Sequence, residues 1–176
     1  MNTYKIPFVG LKIGVHEFEY ELNDKFFSRF EYSLIKKGDL KVQLSFDKRE
    51  TMMLLNFYID GTVNVQCDRC LEYFDMELEG ENDLIIKLGD EQFDETDDIV
   101  ITPRGEQELD VAQYIYEFTN LLLPLRIIHP DDAKGKSLCN KETLKKIEEL
   151  SVGKKTKNEP VDSRWEVLKG LYNKNN

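Results

Sequence analysis

Apolar and polar residues alternate along GVHEFEYEL, with Phe18, Tyr20 and Leu22 on one face and Glu17, Glu19 and Glu21 on the other. That two-residue period predicts a half-buried strand. A cap-type Asn23 or Asp24 ahead of Phe26, Phe27 and Phe30 predicts a short helix or turn packed on the sheet. From Asp39 to Cys67 the pattern predicts three antiparallel strands. Leu40, Val42, Leu44 and Phe46 alternate in the first, residues 51–59 return after a polar turn, and Asp60-Gly61 is a two-residue hairpin signal leading into Thr62 to Gln66. Leu71, Tyr73, Met76 and Leu78 mark a further strand, LIIKL a buried one, and DIVIT a short one. The segment GDEQFDETDD between the last two is too acidic to bury and is expected to be a loop.

The period then lengthens. Val111, Tyr114, Ile115, Phe118, Leu121 and Leu122 recur at helical spacing, Asp110 and Gln113 form a capping-box pattern, and Pro124 marks a stop. This predicts one long helix over about 110–123. NKETLKKIEELS predicts a weaker helix capped by Asn140, and VGKKTKNEP a polar linker. Trp165, Leu168 and Leu171 form an apolar stripe on a short terminal helix, which either docks back or engages a partner. Strands first and helices later imply an α+β fold. The expectation is a mainly antiparallel, barrel-like sheet covered by the long helix, with shorter C-terminal helices. Residues 1–151 are read as a single domain, and 152–176 as linker and amphipathic helix.

Charge adds a polarity that the pattern alone does not show. The chain of 176 residues carries a formal net charge of −10. Fifteen acidic residues lie between Glu72 and Asp110 against Lys87 and Arg104, whereas Lys134 onward holds ten lysines and Arg164 against six acids. An acidic body repels a nucleic-acid backbone, and a basic tail attracts one. No apolar run approaches the roughly 20 residues of a membrane helix. Three cysteines without an export signal fit reduced thiols in a cytoplasm.

Candidate chemistry concentrates at Cys67-Asp-Arg-Cys70. The two-residue gap lets one turn supply two thiolates to a metal such as zinc, and His129 and Cys139 stand on a later loop as candidates for the other two ligands. Two further readings remain open. A redox dithiol needs a helix N-terminus to lower its thiol pKa, but strand-like sequence follows here. Alternatively the pair only caps a hairpin, with Cys139 buried or free. His16 has no catalytic context and is read as structural, no phosphate loop occurs, and DEQFDETDDIV matches no calcium-loop template. Nothing nominates catalytic residues, a cofactor other than zinc, or a small-molecule substrate.

Taken together, VQCDRCLEYF, the acidic connector, ELDVAQYIYEFTNLLLPLRIIHP, the later SLCN and the closing DSRWEVLKGL resemble the YceD-type large-ribosomal-RNA accumulation proteins of bacteria, which have chloroplast relatives. The resemblance covers roughly Phe8 to Leu171. It implies a cytoplasmic, non-catalytic factor needed for accumulation or processing of large-subunit ribosomal RNA. Family genes commonly lie beside the gene for a small basic ribosomal protein of the large subunit. Such a protein and the ribosomal RNA or its precursor are therefore the expected partners, the first on the acidic Glu72–Asp110 region and the second near the basic tail. A metal-dependent hydrolase of precursor RNA, or a generic interaction module built on the Trp165 helix, are the alternatives.

Overall fold

The computed structural model describes residues 4–89, 99–103 and 105–151. The elements, in chain order, are β1 (Lys5–Ile6), β2 (Gly14–Leu22), α1 (Asp24–Phe27), β3 (Lys37–Lys48), β4 (Met52–Gln66), β5 (Tyr73–Leu88), β6 (Ile99–Thr102), β7 (Leu109–Asp110), α2 (Ala112–Leu121) and α3 (Lys141–Leu150). Two compact units divide at Met1–Cys139 and Asn140–Asn176. In the second, α3 begins as expected, with the Asn140 side chain accepting from the Glu142 and Thr143 amides.

In the first unit, β2 to β6 form one sheet in sequential order, antiparallel except for the parallel β5–β6 pair, while β1 pairs with β7. The mixed α+β, mostly antiparallel architecture agrees with the pattern. The barrel does not form. Among the described strands the sheet is open, with β2 and β6 at its edges.

Three strand boundaries also differ from expectation. Asp60-Gly61 makes no hairpin, because β4 runs straight through it, pairing Asp60 with Lys41 and Gly61 with Leu40. A two-residue hairpin turn of the favoured type needs positive φ at both central residues. Here only Gly61 has it, at +139°. Likewise EGEND does not interrupt the chain but lies inside the sixteen-residue β5. Leu71 falls in the turn before β5 instead of in a strand. The expected acidic loop falls almost wholly on residues 90–98, outside the described residues, as do the linker and the terminal helix.

The inner sheet face carries Leu40, Val42, Leu44 and Phe46 from β3, Leu55, Phe57 and Ile59 from β4, and Leu84 and Ile86 from β5, all buried. Each such side chain taken from water contributes roughly 1.5–3 kcal/mol. Two covers close this face. Phe26 and Phe27 of α1 are buried, and α2 adds Ala112, Ile115 and Thr119. The Phe118 ring tilts over Phe57 with centroids 5.1 Å apart, and Tyr116 stacks on Phe30 at 3.8 Å.

The α2 helix is shorter than expected, ten residues from Ala112 to Leu121. Val111, not Asp110, stands at its N-cap and no side chain caps it there; Asp110, one residue before, accepts from the Ala112 amide at 2.9 Å, and Gln113 turns to Glu117 and completes no box. Of the last two residues assigned to the apolar stripe, Leu121 is exposed and Leu122 packs over Gly80. A Cβ on Gly80 would overlap the Leu122 methyls. Because the obstruction is the end of a flexible side chain, Gly80→Ala is expected to cost about 1 kcal/mol in the native protein and nothing in a Leu122→Ala background. Denaturation of the four proteins of this cycle measures the coupling, and additive effects would separate Gly80 from helix docking.

Candidate metal centre

The chain reverses between β4 and β5 over Cys67–Glu72. The Cys67 amide donates to the Glu72 carbonyl and the Leu71 amide to the Cys67 carbonyl, both at 2.9 Å. Leu71 takes φ +62°, a left-handed conformation uncommon outside glycine that closes the tight turn. This geometry turns both thiols inward, leaving Cys67 fully buried and Cys70 nearly so.

A second reversal supplies the remaining candidates. Beyond α2 the chain passes along the first turn, where the Asp68 amide donates to the Ile127 carbonyl and the Ile127 amide to the Asp68 carboxylate, each at 2.7 Å. An isolated bridge then joins Asp131 to Ser137, and Asp132 Oδ1 accepts from the amides of Lys134 and Lys136 around Gly135, at φ +72°. This small hairpin returns Cys139 to the neighbourhood of His129, closing the nine-residue interval that resembles no standard ligand spacing.

The four side chains expected from sequence therefore meet. Cys67, Cys70, His129 and Cys139 place one donor atom each within 4.8 Å of all the others. Cys67 Sγ lies 3.8 Å from Cys139 Sγ, and Cys70 Sγ lies 3.4 Å from His129 Nδ1. The cysteines are not joined in a disulfide. Phe74 stacks on the His129 imidazole with centroids 4.4 Å apart, holding the ring against the thiols.

Electrostatics distinguishes two of the sulfurs. Burial pushes the Cys67 thiol up, but the backbone amides of Cys70, Arg69 and His129 and the His129 ring more than offset it. The thiol is held at about 6, below its ordinary value. For Cys139, contact with Ser137 lowers the pKa, yet burial and the adjoining Cys67 and Cys70 thiols raise it on balance. A single sulfur thus collects the amide dipoles that favour a thiolate. The redox-dithiol reading loses ground on structure: no helix starts at this turn, and a fully buried sulfur is not offered to a partner disulfide.

Three supporting features escaped the sequence: the reciprocal Asp68–Ile127 pair, the Phe74 stack and the αL turn at Leu71. The first two join segments far apart in the chain, so no local signal announces them. His16 sits in β2 with Nε2 2.8 Å from the Lys12 carbonyl, a structural position. Trp165, Leu168 and Leu171 lie outside the described residues.

The outer sheet face was also incompletely legible. The sequence DMELEGEND places Asp75, Glu77, Glu79, Glu81 and Asp83 at every second position, all exposed on one side of β5. The alternation was a strand signal, masked by the Gly and Asn within it. Across the sheet, register rows run Glu17–Ser45–Asn56–Asp83, Glu19–Gln43–Tyr58–Glu81 and Glu21–Lys41–Asp60–Glu79. Each row thus begins and ends on a carboxylate. Ser45 donates to Glu17, Asn56 to Asp83 and Tyr58 to Glu79, orienting the acids from within the face.

No helix among the described residues is long and apolar enough to cross a membrane. No curated protein and no solved structure matches the chain. The family described as large ribosomal RNA subunit accumulation protein YceD matches residues 55–172, from within β4 through both cysteine-bearing segments to the closing Trp-containing stretch. With that match over more than half its length, the chain belongs to the YceD family.

Proposed function

We propose that the protein is a non-catalytic assembly factor that promotes large-subunit ribosomal RNA accumulation by holding a basic ribosomal protein on the outer face of its sheet. Family membership supplies the process. The observation that carries the mechanism is the pair of carboxylate columns on β2 and β5, presented by a rigid sheet whose inner face is already occupied by its own core. Such a face attracts a lysine- and arginine-rich partner at long range and repels RNA phosphates. The partner's own RNA contacts, or the basic C-terminal residues of this chain, then bring the RNA close.

The hydrolase alternative is less well supported. Metal-dependent hydrolysis needs an open coordination position for water, and the one Cys/His cluster among the described residues offers four protein donors. Cleavage of precursor RNA by the purified protein with added divalent metal would nevertheless restore it.

Glu77→Lys with Glu81→Lys tests the docking face. Both side chains are exposed, so stability is expected to stay within about 0.5 kcal/mol. Recovery of basic large-subunit proteins in a pull-down at physiological salt is expected to fall at least tenfold, with reduced large-subunit RNA in cells carrying the variant. Native recovery of RNA without any ribosomal protein, before nuclease treatment, would overturn the proposed partner.

A further inference from the structure

We propose that Cys67, Cys70, His129 and Cys139 bind one Zn2+ ion in a closed tetrahedral site, with His129 ligating through Nδ1. The inference stands apart from the assembly role and rests on the side chains alone.

Distances come first. A tetrahedral zinc with Zn–S near 2.3 Å and Zn–N near 2.0–2.1 Å separates two sulfurs by about 3.8 Å and a sulfur from a nitrogen by about 3.5 Å. The structure has 3.8 Å between Cys67 and Cys139 sulfurs and 3.4 Å between the Cys70 sulfur and His129 Nδ1. With all four donor atoms within 4.8 Å of one another, the remaining sulfur–sulfur edges need contract by no more than about 1 Å and the sulfur–nitrogen edges by no more than about 1.3 Å, within side-chain rotation.

Donor type and surroundings agree. Three soft sulfurs and an imidazole select zinc over magnesium or calcium, which take oxygen. The cysteines are buried and the histidine half-buried, so water has little access to the donors. The Asp68–Ile127 pair and the Asp131–Ser137 bridge set the two reversals side by side, and a bound ion would lock that contact closed. Phe74 fixes the imidazole plane, as the neighbours of metal ligands commonly do. On binding, every cysteine still protonated releases its proton to solvent, and each sulfur gives a lone pair to the ion with no change of oxidation state. Four protein ligands leave no site for substrate, so the ion is a structural clip between the β4–β5 turn and the 127–139 loop.

The test uses the full chain purified under reducing conditions without chelator. Native mass spectrometry with elemental analysis is expected to give one zinc per chain. X-ray absorption of that unmodified protein is expected to show three sulfurs and one nitrogen at the distances above, and cobalt substitution intense tetrahedral ligand-field bands. His129→Ala is expected to weaken zinc binding at least tenfold and to remove the nitrogen from the shell. A reduced protein that takes up neither zinc nor cobalt stoichiometrically would overturn the site. Iron or copper in place of zinc would overturn the metal, and an unchanged shell in His129→Ala would overturn the ligand set.

Discussion

Gly61→Ala is expected to destabilise the fold by about 3–5 kcal/mol, at the upper end of single-residue effects. Two penalties coincide at this residue. Its φ of +139° is a conformation that L side chains rarely adopt, and holding one there costs on the order of 1–3 kcal/mol. In addition, a Cβ would overlap the Asp39 carbonyl oxygen and lie 2.8 Å from the Leu40 Cα. These are backbone atoms of the paired strand β3, so relief requires breaking ladder pairs at the centre of the sheet. Alanine's smaller unfolded-state entropy returns at most about 1 kcal/mol, too little to compensate.

Two other glycines separate the contributions. Gly10 has an ordinary φ, and a Cβ there would meet nothing within 4 Å, so Gly10→Ala is expected to be neutral. Gly14, at φ +126° in open space, carries the conformational penalty alone. Thermal melts are expected to rank Gly10→Ala, Gly14→Ala and Gly61→Ala in increasing loss, the last lowering Tm on the order of 10 °C. Equal losses at Gly14 and Gly61 would mean that the backbone contact costs nothing.

Gly61 also marks where local reading of the sequence stops. Asp-Gly between apolar runs is the strongest short-range hairpin signal, and it failed here because the glycine answers to a neighbouring strand and not to a turn. The rows Leu40 to Phe46 and Phe18 to Leu22 were legible because each is a long run in which burial and period agree. The acidic column of β5 carried the same period, yet its charge and its central Gly80 imitated a loop. Only the docking of Leu122 explains a glycine at that point. For the Cys/His cluster, residue type singled out all four members, while the spacing of His129 and Cys139 argued against their joining. What brings them together is a small hairpin between them, built on backbone bonds and an Asp132 side chain that no ligand template encodes.

Removing zinc from the proposed site, or Cys67→Ser in its place, is expected to cost about 3–5 kcal/mol. Zinc-finger peptides draw roughly 10–16 kcal/mol from their ion because they have no other core. Here Leu44, Phe46, Phe57 and Ile59 are fully buried without help from the site, so the sheet is expected to survive and only the clip to open. The loss is therefore local. Chelated protein is expected to keep its far-ultraviolet dichroism while the amides of Asp68 and Ile127, paired at 2.7 Å in the closed form, exchange with solvent at least a hundredfold faster. Cys67 is the informative position, because its sulfur gathers the amides of Arg69, Cys70 and His129. A serine hydroxyl is a poor zinc ligand and leaves those donors facing a weaker acceptor in a buried turn. Cys70→Ser loses a ligand without disturbing that amide cluster, so it is expected to lose zinc with a smaller fall in stability. If chelator and both variants left exchange at Asp68 and Ile127 unchanged, the backbone pair alone would be holding the two turns together, and the ion, where bound, would add nothing to the fold.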